Sequence, residues 1–206
     1  DMLRRCGGLE TMIGVAGGAQ QDKFVGGAWQ IPERMSHSLG GDIELNSPVV
    51  AVEQNAEGVR VVSSRGTYAA DHVIVAIPPM LASQIRFAPA LPAKRSGLLQ
   101  RMPMGAVIKV HVAYETPFWR RSGLTGSAIG GDRHLGTVFD QSLGDDGLGV
   151  LVGLIEARHA LAMGALDQEA RRKAVVADLV HYFGTQASQP LDYVEQNWLD
   201  EPWSLG

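Results

Sequence analysis

The chain has 206 residues, 45% of them hydrophobic and 19% charged, an ordinary balance for a soluble globular protein with enough apolar material to build a core. A net charge of -4 with no basic run argues against a nucleic-acid partner, because phosphate binding concentrates Lys and Arg on one face. The single cysteine, Cys6, allows no internal disulfide, no apolar run reaches the ~18 to 20 residues needed to cross a bilayer, and Asp1-Met-Leu-Arg-Arg lacks the apolar centre of a signal peptide, so a cytoplasmic setting is expected.

In chain order, residues 1 to 23 carry Gly7-Gly8, Gly14 and Gly17-Gly18 around Met12-Ile13, a glycine density that predicts loops and turns. After Gly26-Gly27, Trp29 to Leu39 reads as a helix: Ile31, Met35 and Leu39 recur every four residues, Pro32 fits a first turn, and Gly40-Gly41 stops it. A helix opening after two glycines either follows a plain turn or offers bare N–H groups to an anion, and both readings stand. Strands are expected over Ile43 to Gln54, Val59 to Ser64 and Tyr68 to Ile77, joined by Asn55-Ala-Glu-Gly58 and Arg65-Gly66 into an antiparallel meander. Pro48-Val49 inside the first implies an edge or a bulge. His72 to Ile77 is almost wholly apolar, as in a strand covered on both faces, and Pro78-Pro79 ends it. A buried strand breaking into a Pro-led helix is either a ligand position of open α/β sheets or a simple turn.

A short helix over Ala93 to Gln100 leads into a second sheet, with strands over Ala106 to Tyr114, Gly126 to Gly130, Gly136 to Asp140 and Val150 to Glu156. The glycine-rich turn Gly144-Asp-Asp-Gly147 interrupts it, and Asp145 and Asp146 read as solvated. Within Val107 to Tyr114 the alternation is clean: Ile108, Val110, Val112 and Tyr114 point to a core, whereas Val107, Lys109, His111 and Ala113 point the other way. Lys109 and His111 mark either a solvated sheet face or the lining of a cavity in which an amine donor is useful. Asp167 caps a helix with Glu169 in its first turn, Ala174, Val175, Leu179, Val180 and Phe183 as its apolar stripe, and Gly184 at its end. Tyr193 to Trp198 is a last short strand. The six histidines show neither i, i+4 pairing nor cysteine companions, so no metal site is expected, and no Gly-x-Ser-x-Gly elbow or P-loop is present.

Six phrases occur in one order across nearly the whole chain: Phe24-Val-Gly-Gly-Ala-Trp-Gln30, Leu45-Asn-Ser-Pro-Val49, Val73-Ile-Val-Ala-Ile-Pro-Pro79, Met104 to Trp119, Gly149-Val-Leu-Val-Gly-Leu-Ile155 and Glu195-Gln-Asn-Trp198. In these the sequence resembles the flavin-containing monoamine oxidase family. The resemblance implies a mixed α+β or α/β fold with two domains. A mixed-sheet substrate domain with flanking helices would draw on residues 1–24 and 100–200. An antiparallel meander and helix, residues 25–99 with 201–206, would belong to an incomplete FAD-binding domain.

By the same resemblance Lys109 is the lysine that holds a water against the reactive flavin N5. The backbone at Val49 meets the adenine end of FAD, Ala76, Ile77 and Pro78 pass near the cofactor, and Trp198 walls the flavin or the cavity. Ile13 falls where some members place a gating side chain, with a small core contact as the other reading. Thr137 stands where some animal members place a cavity tyrosine. The implied substrate is a small primary or secondary amine, oxidised to the imine while oxygen becomes hydrogen peroxide.

Two departures matter. No Gly-x-Gly-x-x-Gly turn is present to take the pyrophosphate, and Leu205 replaces a small or polar residue. The chain is therefore expected to be the middle of the family pattern, with FAD bound by the parent but not by these residues alone. The other expectation is an inactive truncated module that keeps the substrate-domain sheet and self-associates as a homo-oligomer through exposed apolar surface.

Overall fold

The computed structural model describes residues 2–14, 17–19, 21–144 and 147–206, without the side chains of Met2, Leu3 and Ile13. Asp145 and Asp146 lie outside the described residues. The chain divides into two compact units, residues 1–48 and 49–206.

In the first unit the expected loops contain two short helices, α1 (Met2–Arg5) and α2 (Leu9–Ile13). The glycines set their limits rather than preventing them. Gly7 and Gly8 adopt φ of 82° and 98°, a region that side-chain-bearing residues avoid, and Gly14 closes α2 by donating its N–H to Glu10 O. The helix α3 (Gln30–Leu39) runs as expected and ends at Gly40, φ 61°, whose N–H reaches Ser36 O. Its stripe of Ile31, Met35 and Leu39 is exposed.

The second unit opens with strands β1 (Val49–Asn55), β2 (Gly58–Ser63) and β3 (Thr67–Ala70), antiparallel in the order β3-β2-β1. Pro48 precedes β1 instead of interrupting it, and the implied bulge lies between Val49 and Ala51. Beyond Ala70 the expected third strand fails: residues 72–77 join no ladder. Val73, Ile74, Val75 and Ile77 are exposed, Ile74 to 90%. Branched side chains suit a pleated surface, but a strand exists only where a neighbour satisfies its backbone, and no described segment does so here. Pro78 then leads the short helix α4 (Pro79–Ala82). Strand β4 (Arg86–Ala88) returns parallel to β1 and completes a four-stranded sheet. Glu53 on β1 pairs with Arg60 on β2 and, at 3.1 Å, with Arg86 on β4, joining three strands on one surface.

After helix α5 (Ala93–Gln100) come strand β5 (Val107–Tyr114), helix α6 (Phe118–Arg121), and strands β6 (Ala128–Ile129), β7 (Leu135–Asp140) and β8 (Gly149–Glu156). Helix α7 (Ala157–Gly164), helix α8 (Gln168–Phe183) and strand β9 (Asp192–Asn197) follow. The five strands form an antiparallel sheet in the order β6-β7-β8-β5-β9. One face of this sheet is the core. Ile108, Val110, Val112 and Tyr114 of β5 are fully or almost fully buried with Leu151 and Ile155 of β8 and Leu135 and Val138 of β7. Ala160 and Met163 of α7, Val175, Leu179 and Phe183 of α8, and Trp119 of α6 pack on them.

Polar contacts hold this layer in place. Asp167 caps α8 by accepting from Ala170 N at 2.8 Å. The buried Asp178 accepts the N–H of Leu135 at 3.0 Å, which fixes α8 against the start of β7. Arg171 of α8 donates twice to Glu195 of β9, at 2.8 and 2.6 Å, and Tyr193 donates to the same carboxylate at 2.7 Å.

Candidate active site

Period 2 sends Lys109 and His111 away from the core, and the antiparallel register decides what stands beside them. Lys109 is opposite Gln196 on β9 and Leu154 on β8, and Leu154 is opposite Thr137 on β7. Gln196, Lys109, Leu154 and Thr137 therefore form one row across the open face. The next row is Val194, His111, Val152 and Phe139. Thus Lys109 and Thr137, 28 residues apart in the chain, share a row.

The two rows are neither core nor fully solvated. Lys109, His111, Leu154, Thr137 and Phe139 are half-buried, Val152 is buried, and Gln196 and Val194 at the β9 edge are exposed. Carboxylates are kept to the margins of this face, Asp192 opposite Ala113 and Glu156 opposite Val107. Lys109 forms no ion pair among the described residues. Burial, reinforced by the charge of Lys109, pushes the His111 imidazole below its ordinary range and favours its neutral form. The face thus offers one cation, one neutral imidazole, an amide and a hydroxyl set among apolar side chains. Such a surface can orient an uncharged planar group or a water but supplies no carboxylate to neutralise a second cation.

The remaining candidates lie elsewhere. Val49 begins β1 in the other sheet and is 38% exposed. Ala76 and Ile77 end the unpaired run, and Pro78 is the half-buried N-cap of α4. Trp198 follows β9 directly in a one-turn 3-10 helix and is 38% exposed. The side chain of Ile13 is outside the described residues. Val152, Leu154, Phe139 and Gln196 escaped the sequence reading although their strands did not, because facing depends on register. A charged concavity of about 600 Å³ lined by Glu53, Glu57, Arg60 and Asp71 includes no residue of the Lys109 face. Among the described residues no group of three His, Cys, Asp or Glu could hold a metal, and no helix is long and apolar enough to cross a membrane.

The family model for flavin containing amine oxidoreductases matches residues 3–206. The chain belongs to this amine oxidoreductase family. It is 37% identical to amine oxidase [flavin-containing] B of Sus scrofa over 208 aligned positions, covering 99% of this chain and 40% of that protein. Among solved structures it is similar to cyclohexylamine oxidase from Brevibacterium oxydans IH-35A, with TM-score 0.90, 33% identity and coverage of 98% of this chain and 45% of that one. Putrescine oxidase bound to putrescine matches with TM-score 0.82 and 38% identity over 88% of this chain and 41% of that one. The chain thus spans about two fifths of the length of its amine oxidoreductase relatives. Within that span Lys109 stands between Gln196 and Leu154 in the open row.

Proposed function

We propose that residues 1–206 are the central part of an FAD-dependent amine oxidase that converts a small primary or secondary amine to its imine and oxygen to hydrogen peroxide. In this reading the open face of the five-stranded sheet is the working face. The observation that carries it is the placement of Lys109, a half-buried cation with no ion pair among the described residues, in one row with Gln196, Leu154 and Thr137, in a chain of the amine oxidoreductase family.

The residues assigned to the cofactor fit the flat ring systems at the two ends of FAD and offer nothing to its charged pyrophosphate. Val49, Ala76, Ile77 and Trp198 are solvent-accessible and Pro78 is half-buried; none carries charge, and the backbone of 76–77 is free of any ladder. Val49 would meet the adenine end, Ala76, Ile77 and Pro78 would border the cofactor, and Trp198 would wall the flavin side. When bound, the flavin accepts the electrons removed from the carbon beside the amine and passes them to oxygen. Lys109 orients a water by donating to it, Leu154, Val152 and Phe139 exclude bulk solvent, and Thr137 shapes the substrate path. We assign residues 1–24 and 100–200 to the substrate domain, and 25–99 with 201–206 to the FAD domain.

The test is to express the full-length protein that contains these residues and add primary and secondary amines without oxygen. Bleaching of the flavin band near about 450 nm, with peroxide formed on readmitting air, is the expected result. A full-length protein without flavin, or a flavin that no amine reduces, contradicts the reading.

A further inference from the structure

His111 has no role in the reading above, yet the fold places it beside the residue that reading depends on. It is two residues from Lys109 on one strand and one face, so their Cα atoms stand about 7 Å apart by strand geometry. Its cross-strand neighbours are Val152 on β8 and Val194 on β9, with Phe139 beyond Val152. No described hydrogen bond reaches its ring. On a solvated sheet face an imidazole is surrounded by water and ions; here it is half-buried between the buried Val152 and the exposed Val194, and the nearest charge on its own strand is a cation.

We propose that His111 is a positioning residue for Lys109: as a neutral imidazole it leaves Lys109 the single cation of the working face, and its protonation sets a second cation beside it and shuts down the Lys109-dependent step. This rests on the proposed function. The charged groups sharing the face are Lys109 on the same strand, Asp192 on β9 opposite Ala113, and Glu156 on β8 opposite Val107. Neither carboxylate is in the His111 row, and Glu195 of β9 is committed to Arg171 on the core side. The second positive charge is therefore not neutralised within its row, and two cations side by side on one strand face repel, which drives the flexible Lys109 ammonium from its position. The imidazole already lies below its ordinary range through burial and then through Lys109, so it is neutral near pH 7 and charges only on acidification.

The experiment uses the flavin-loaded full-length protein. The His111 imidazole is titrated by NMR in the wild type and in Lys109→Met, where losing the neighbouring cation should shift its titration to higher pH, and an unshifted titration overturns the pairing. Reoxidation of the reduced flavin by oxygen is followed by stopped-flow absorbance from pH 5 to 9 in the wild type, His111→Gln, His111→Leu and Lys109→Met, each normalised to its own rate at pH 8. The wild type should lose rate on the order of tenfold on acidification, through one ionisation below about 6.5. Both His111 variants and Lys109→Met should be flat through that range. An acid limb that persists in both His111 variants, or a wild type with no acid limb, overturns the His111 assignment while leaving the amine oxidase reading in place. A protein that takes up no flavin overturns that reading, and the His111 assignment with it.

Discussion

Gly153 stands opposite Val110 at the centre of the sheet, on the core side. A Cβ there would lie 2.5 Å from Leu135 Cδ2 and 3.0 Å from Val110 Cγ2, and both neighbours are fully buried. Neither can retreat without displacing the helix layer, so Gly153→Ala should destabilise by about 1–3 kcal/mol, the usual cost of overpacking. Urea denaturation monitored by tryptophan fluorescence checks it; a variant as stable as the wild type would show that this core is looser than its packing indicates. Leu205 raises the opposite case. It adopts φ of 60°, where a Cβ crowds the backbone, and it is the position at which the sequence departs from the family phrase. Leu205→Gly should therefore raise stability by a few tenths to about 1 kcal/mol, despite the greater freedom glycine gives the unfolded chain. A lowered denaturation midpoint would mean that the leucine side chain contributes more than its backbone costs.

At the scale of elements, α8 is held to β9 by the Arg171–Glu195 pair, whose side chains are only 11% and 5% exposed. Burial also pushes the Tyr193 hydroxyl up, which keeps it protonated as a donor to Glu195. Glu195→Ala leaves a guanidinium without its partner and should cost about 3–5 kcal/mol, far more than an exposed pair. A loss below about 1 kcal/mol would show that water reaches the pair. Asp140 links α6 to the end of β7 by accepting from Arg120 at 2.7 Å and Trp119 at 2.8 Å. Burial alone would push its pKa up, but the donors from Arg120, Ser142 and Trp119 together outweigh burial and hold the carboxyl below its ordinary value. A depressed carboxylate contributes stability above its unfolded value, lost as pH falls through the folded one. Asp140→Asn should therefore be less stable than the wild type at pH 7, and the gap should narrow below about pH 4, as urea titrations at several pH values would show.

The same scale explains what the sequence could reveal. α8 was legible because cap, stripe and terminal glycine are local, and β5 because eight residues alternate without a break. α7 was not, since it follows β8 directly, with Glu156 at its N-cap making no side-chain cap bond to announce it. Residues 72–77 read as a buried strand because composition records side-chain preference, whereas a ladder needs a second segment. For the site, β5 gave the facing of Lys109, but its row with Leu154 and Thr137 depends on pairings across three strands. No window of sequence contains those pairings.

At the scale of the whole molecule, both units expose runs of apolar side chains. Ile31, Met35 and Leu39 in the first unit and Val73 to Ile77 in the second are uncovered, and patches of this kind associate. The 206-residue chain expressed alone should elute as oligomers at micromolar concentration in light-scattering chromatography; a monodisperse monomer would contradict that. The account as a whole depends on the Lys109 face being the working face of an amine oxidase. Its most direct test is Lys109→Met in the full-length protein, with flavin reduction by amine and reoxidation by oxygen timed separately by stopped-flow absorbance. Losing one positioned donor from a water-poor site costs on the order of 2–4 kcal/mol of barrier. The account predicts that reoxidation slows by roughly 30- to 1,000-fold while reduction changes much less. Both rates remaining within about threefold of the wild type, less than ~1 kcal/mol, would show that Lys109 only solvates a sheet face.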